Sequence, residues 1–392
     1  MPAMKNVVVV AYGRSAIARA GKKGALRNMH PADMGGLVLK GVLEKVPQLD
    51  PALIEDVIVG CAQQDLYQSG NLARLVALTA GLPDSVSAMS VNRFCSSGLQ
   101  TIAIAAAQIE AGLNEVLVAG GVESMSSVPV TYLAQDLAKC QSANLLEKMP
   151  DVYLPMGATA ENVAARHGVT REEMDALAVE SHAKAAAAQD AGRFDDSIIP
   201  LPGVDEEGNP IVFNKDQGIR RGTSMESLAG LKPCFKEDGV VTAATSSQTS
   251  DGAGFVVLMS ESKAKELGIK PIAKFISFGV GGCEPGYMGE GPIYAVPKAM
   301  KIAGLTVDDM DVIELNEAFA AQAIPCMNKL GMDRSKVNPN GGAMALGHPL
   351  GATGAFLTCK ILDELKRTNG KYGLVTMCIG GGMGAAGIYE MC

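Results

Sequence analysis

Short unbroken apolar runs, each closed by glycine or polar residues, recur along residues 1–120 and again along 269–392. Asn6–Ala11 contains four consecutive valines and predicts a strand buried on both faces. Val57–Cys61, Val86–Val91 and Val116–Gly120 read the same way. Between them apolar positions fall at helical spacing: Pro31–Lys45, Leu72–Ala80 before Gly81, and Ser97–Ala111 before Gly112. The second region repeats this rhythm. Its strands are Ile272–Phe278, Val312–Leu315, a short one at Val337–Asn338, Gly373–Cys378 and Gly384–Tyr389. Its helices are Val296–Ala303, Ala318–Leu330 and Ala352–Lys366, the last preceded by a turn through His348–Pro349. Strands alternating with helices predict an α/β fold with parallel strands covered on both faces. The two ends read as copies of one unit. Two weak echoes support this: Val57–Gly60 against Val312–Leu315, and Val116–Gly121 against Val375–Gly381.

Between the copies the character changes. Thr170 and Glu173 form a capping box that opens a helix over Arg171–Ala191, ended by Gly192. Pro, Gly, Asp and Lys then dominate to residue 238. Such an insertion is expected to carry ligand or oligomer contacts. The expected division is an N-terminal half over 1–120 plus about 240–268, an inserted loop domain over 121–239, and a C-terminal half over 269–392.

Composition narrows the function. In 392 residues, 47% are hydrophobic and 19% charged, which fits a folded soluble chain. No apolar run approaches the ~18 residues of a membrane span. The net charge of -8 argues against a nucleic-acid binder, while leaving room for a local anion site. Nine cysteines without a CxxC pair read as reduced thiols, and four scattered histidines do not make a zinc site. The expected location is cytoplasmic. An apolar strand by Val7 makes a leader peptide unexpected, and Tyr389-Glu-Met-Cys392 matches no common address signal.

Four places could carry chemistry. Cys95 follows an apolar strand and directly precedes a small-residue helix; a thiol there faces the positive end of the helix dipole, which favours thiolate. The alternative is a small buried filler. His348 sits on a turn between Gly347 and Pro349, placed for proton transfer or simply stabilising the turn. Cys378 ends a strand before Gly380-Gly381-Gly382, where bare backbone N–H groups can face a ligand; a strand-end core residue is the plainer reading. Asn316 and Glu317 follow another strand, and Asn316 suits an N-cap equally well. All four lie at the C-terminal ends of strands, where open α/β sheets place their ligand sites.

The stretches Asn92–Gln100, Asn316–Ala321, Asn340–Gly351 and Cys378–Gly384, in that order, resemble the signature blocks of the thiolase family. Thr242–Ala253 and Met156–Asn162 fit its intervening regions. The form Cys95-Ser-Ser-Gly-Leu-Gln100 resembles degradative 3-ketoacyl-CoA thiolases more than acetoacetyl-CoA thiolases. The resemblance implies a duplicated fold of five α-β-α-β-α layers with two sheets, a loop domain, and a homodimer or homotetramer. Leu72–Ala80 and Val86–Val91 are the expected contact surface.

It also implies ping-pong acyl transfer between CoA thiols. Cys95 would be the nucleophile that becomes S-acylated, and His348 its activator. Cys378 would be the acid/base for the carbon–carbon step. Asn316 would hold a water that forms one oxyanion hole with His348; N–H groups of Cys95 and Gly380 would form the other. No metal and no permanently bound cofactor are implied; CoA and acyl-CoA enter as substrates. Lys215, Arg220 and Arg221 would meet the anionic end of CoA, and Ser247 its pantetheine arm. Met156, Met288, Phe235 and Phe319 would line the pocket. Ala244-Thr245 stands where relatives often carry Gly-Asn, and Pro155 where many acetoacetyl-CoA enzymes carry His. A short-chain acetoacetyl-CoA thiolase and a non-catalytic acyl-CoA-binding protein are the alternatives. A decarboxylating condensing enzyme pairs its Cys with two His, against which stands a single His in a motif.

Overall fold

The computed structural model describes residues 4, 6–129 and 139–392. Its strands are β1 (Val7–Arg14), β2 (Ala18–Arg19), β3 (Asp56–Gly60), β4 (Ser87–Val91), β5 (Val116–Ser124), β6 (Leu201–Val204), β7 (Pro210–Phe213), β8 (Ser250–Ser260), β9 (Ala273–Gly282), β10 (Val312–Leu315), β11 (Tyr372–Ile379) and β12 (Met383–Met391). Ten form one sheet in the order β10-β11-β12-β9-β1-β8-β5-β3-β4, with β2 beside β8; β6 and β7 make a separate hairpin. Among the described strand pairs only β3–β4, β3–β5 and β10–β11 are parallel. The expectation of parallel strands throughout is therefore corrected. Burial on both faces produces the same apolar run in either direction, so the run alone does not report strand sense.

Duplication is visible in the pairing. Outward from the centre the first half runs β1, β8, β5, β3, β4, paired antiparallel, antiparallel, parallel, parallel. The second runs β9, β12, β11, β10 with the same senses, and a lone parallel bridge from Ile313 to Val337 stands where β4 would be. The short strand expected at Val337–Asn338 is thus reduced to that bridge. The first sequence echo is out of register: Val57 points to an outer layer, Val312 to the central one. A shift of one residue exchanges the faces of a strand.

Alternation within strands builds the layers. Val57, Val59, Val116 and Val118 join Met34, Val38 and Val76 of helices Pro31–Leu43 and Leu72–Thr79 in one outer core. Their neighbours Ile58, Leu117 and Ala119 face inward, with Val375 and Met377 of β11, onto helices Ser97–Glu110 and Thr353–Thr368. Ile313, Leu315 and Leu374 form the other outer core with helices Gly291–Ala303 and Ala320–Leu330. Each fully buried Leu or Ile contributes about 1.5–3 kcal/mol, so a strand carrying both faces is held from two sides. The five expected layers are present. The two expected sheets are one hydrogen-bonded path, joined where Val8 and Val9 pair with Lys274 and Ala273.

The two central helices meet backbone to backbone. A Cβ on Gly354 would lie 2.1 Å from the Leu99 nitrogen, and one on Gly98 would lie 2.8 Å from the Gly351 oxygen. In the inserted region the capping box of Thr170 and Glu173 opens helix Arg171–Asp190. The sequence rhythm overlooks β8, a fully central strand, because Asp251, Gly252 and Gly254 make its first half look like a turn.

Candidate active site

Cys95 is presented by a strained elbow. After β4, the Asn92 side chain accepts from the Phe94 N–H at 2.8 Å and donates to the Ala62 carbonyl at 3.0 Å. Phe94 adopts φ +43°, a left-handed conformation that costs a residue with a side chain about 1–3 kcal/mol. Ser97 offsets this by accepting from the Arg93 N–H at 2.9 Å and donating to the Phe94 carbonyl at 2.7 Å. Cys95 lies in the 3-10 turn Phe94–Ser96, ahead of the helix proper. The expected thiolate is not what results. Burial pushes the Cys95 thiol up to about 11, against the pull of the N–H groups of Gly380 and of Cys95 itself. The resting sulfur is a neutral thiol held by two backbone donors.

Those donors lead to β11. Its last residues are Cys378 and Ile379; the next N–H, of Gly380, acts on Cys95, and the chain then turns through Gly381 and Gly382 at φ +80° and +82°. Cys378 is fully buried; burial first, and then the neighbouring Cys95 sulfur, hold its thiol well above the usual range. The two sulfurs are therefore close enough to act on each other electrostatically, as β11 packs against the Phe94–Ser96 turn. Asn316 follows β10, and its N–H bonds to the Thr376 carbonyl two residues before Cys378. Neither Asn316 nor Glu317 is a helix cap: the next helix begins at Ala320, with Phe319 in the cap position.

His348 completes the group. The turn Leu350–Ala352 behind it packs against Phe94–Ser96, so the segments that carry imidazole and thiol lie side by side. The Asn316 Nδ2 stands 3.4 Å from His348 Nε2, and Thr353 Oγ1 2.6 Å from Nδ1. Burial lowers the imidazole to about 4, so it is neutral and able to take a proton. Asn316 Oδ1 is buried without a partner, an acceptor turned into the site.

The residues expected to line a pocket have the following neighbours. A Cβ on Gly380 would sit 3.4 Å from the Met156 sulfur and 3.9 Å from the Phe94 ring, so these two flank the oxyanion position. Phe235 meets Phe319 edge to face at 6.0 Å and covers Gly157 beside Met156. Met288 shares the outer core with Phe319 and Cys378. The Ser247 N–H bonds to the Ala318 carbonyl at 2.9 Å. The Thr245 hydroxyl accepts from the Thr242 N–H at 2.9 Å, closing that turn. Lys215, Arg220 and Arg221 are exposed on one loop. Arg221 is already paired with Asp190 through two bonds of 2.7 and 2.8 Å, leaving Lys215 and Arg220 as the freer charges. Gln248 ties this loop to the centre, donating to the Gly218 carbonyl at 2.9 Å while its own carbonyl accepts from the His348 N–H at 3.0 Å.

One buried carboxyl group, Glu123, escaped the sequence reading, and a second, Glu317, was read there only beside Asn316. Glu123, at the end of β5, accepts from the N–H groups of Ala62, Gln63 and Gly351 at 2.8, 3.2 and 2.8 Å and from Gln68 at 2.9 Å. Glu317 accepts from Ser181 at 2.7 Å and Asn338 at 2.9 Å. They brace the His348 segment from either half. Gly120-Gly121 before Glu123 is the one signal that marked that strand end.

The fold, with two cysteines, a histidine and an asparagine drawn from both of its halves, is that of an α/β enzyme. Family models described as the thiolase N-terminal and C-terminal domains match residues 7–262 and 269–391. The chain belongs to the thiolase family and is an acyltransferase. It is 48% identical to the 3-ketoacyl-CoA thiolase of Bacillus subtilis (strain 168), covering 99% of this chain and 100% of that one. It is 44% identical to the peroxisomal 3-ketoacyl-CoA thiolase 2 of Arabidopsis thaliana, over 98% and 84% of the two chains. The crystal structure of the Bacillus anthracis acetyl-CoA acetyltransferase matches it with a TM-score of 0.90 at 41% identity, covering 100% of both.

Proposed function

We propose that this protein cleaves 3-ketoacyl-CoA with CoA, giving acetyl-CoA and a shortened acyl-CoA, and runs the reverse condensation when products accumulate. The observation that supports the reading is that the Cys95 thiol feels the Gly380 N–H and in turn raises the Cys378 thiol, so the two sulfurs are near neighbours. Cys95 passes its proton to His348 Nε2 and adds to the 3-keto carbon. The tetrahedral oxygen collapses, the carbon–carbon bond breaks, and the acyl group stays on Cys95. Cys378 protonates the released enolate of acetyl-CoA. The CoA thiol then returns a proton to Cys378 and attacks the acyl carbon, while His348 reprotonates the departing Cys95. A soft sulfur that both attacks and leaves suits each half. Each oxyanion donor is worth about 3 kcal/mol.

Lys215 and Arg220 hold the phosphates of CoA in this reading, Ser247 meets the pantetheine arm, and Met156, Met288, Phe235 and Phe319 line the acyl pocket. The protein is a homodimer or homotetramer assembled through β4 and helix Leu72–Thr79. The support is that β4 is an open sheet edge and that Leu75 and Leu78 are exposed beside it. Its place is a reducing, cytoplasmic compartment, on the strength of nine free thiols.

The test is acid quench after brief exposure to acetyl-CoA, followed by mass spectrometry. An acetyl group on Cys95 is expected, still formed by Cys378→Ser while cleavage of acetoacetyl-CoA and longer 3-ketoacyl-CoA substrates slows. No adduct on Cys95 overturns the reading. Initial rates over that substrate series set the chain-length preference.

A further inference from the structure

We propose that Thr353 is the positioning residue that holds the His348 ring through Nδ1, in the tautomer that the donor-only Asn316 amide nitrogen selects. Its hydroxyl lies 2.6 Å from His348 Nδ1, both groups are buried, and that nitrogen is its hydrogen-bond contact within the chain. On the other side of the ring, Nε2 faces the Nδ2 of Asn316, which carries only donors. An Nε2–H would set two donors against each other. An Nδ1–H donated to Thr353 Oγ1 leaves Nε2 unprotonated, and its lone pair is what removal of the Cys95 proton requires. Once Nε2 takes the proton, the same hydroxyl accepts from the charged ring, so the bond is stronger after proton transfer than before it.

The hydroxyl has a second reason to be where it is. Thr353 opens the helix that follows the Leu350–Ala352 turn, as Ser97 opens the one after Phe94–Ser96. Ser97 spends its oxygen on the backbone of its own turn. Thr353 makes no such bond and turns its oxygen to the imidazole instead.

The inference rests on His348 as the base, so the experiment separates the two. In protein labelled with 15N-histidine, the His348 ring is expected to be protonated at Nδ1; a ring protonated at Nε2 overturns the assignment without any variant. Thr353→Val, which keeps the shape, is expected to lower kcat by about tenfold to a hundredfold with KM for acyl-CoA little changed. Thr353→Ser is expected to recover most of that loss. Wild-type turnover in Thr353→Val, or equal loss in both variants, overturns the role of the hydroxyl. His348→Ala supplies the control: if it still acetylates Cys95 at the wild-type rate, the base reading itself falls, whereas an inactive His348→Ala beside an unaffected Thr353→Val removes Thr353 alone.

Discussion

Two turns enter the two central helices, one from each half. Phe94-Cys95-Ser96 leads into Ser97-Gly98, and Leu350-Gly351-Ala352 leads into Thr353-Gly354. Each is a single 3-10 turn followed by a hydroxyl residue and a glycine at the helix crossing. They differ at the middle position. In the first half that position carries the reactive sulfur, with backbone donors from Gly380 and Cys95 around it. In the second it is a glycine whose N–H is bound by Glu123, and a Cβ there would lie 2.7 Å from both the Ala62 nitrogen and the Cys61 Cα. One scaffold therefore supplies a reactive position and a sealed one. The carboxylate that closes the second turn comes from the first half, so each half completes the other.

Exchanging the middle residues should show the difference. Cys95→Gly, which makes the first turn resemble the second, is expected to abolish turnover while changing stability by no more than about 1–2 kcal/mol, since little side chain is lost. Activity assay and denaturant unfolding together check this. Gly351→Ala is expected to act through the fold instead. The added methyl meets rigid backbone, and unfolding in urea should show a loss of about 1–3 kcal/mol. Equal stability of this variant and the wild type would mean the second turn is not sealed.

The smallest effect concerns protonation. Because burial places Cys95 at about 11, its alkylation by iodoacetamide should climb through pH 7–10 without levelling. A plateau near neutral pH would show that the dipole and the two donors outweigh burial after all. The imidazole carries a stability term of its own. Its folded value of about 4 lies below the ordinary 6.5, so the unfolded chain binds the proton more tightly. Stability from this group is whole above pH 6.5 and is lost as pH falls toward 4.

Much of this was legible along the chain. The valine run of β1 and the run Leu374–Cys378 are buried end to end, because a strand covered on both faces has no polar positions to spare. The Thr170 cap worked as read, being a contact over three residues. Other readings failed where the deciding contact is distant. Strand direction, the register between the halves and the loss of β4's counterpart at Val337 all depend on which strand lies alongside. The Cys95 thiol was read from its own helix and decided by everything that buries it. Glu123 looked like one acid among 42 acidic residues until the fold placed four donors around it.

By itself, then, the sequence determined the elements, the alternation that separates outer from central faces, and the residue types able to carry an acyl group, since these follow from spacing and from functional groups. Only the tertiary structure decided that imidazole and amide meet, that the turn bearing the sulfur packs beside them, that burial keeps the thiol protonated, and that one of two matching turns is closed. Those are consequences of contacts between residues some 30 to 280 positions apart, whose energies exist only after the chain has folded.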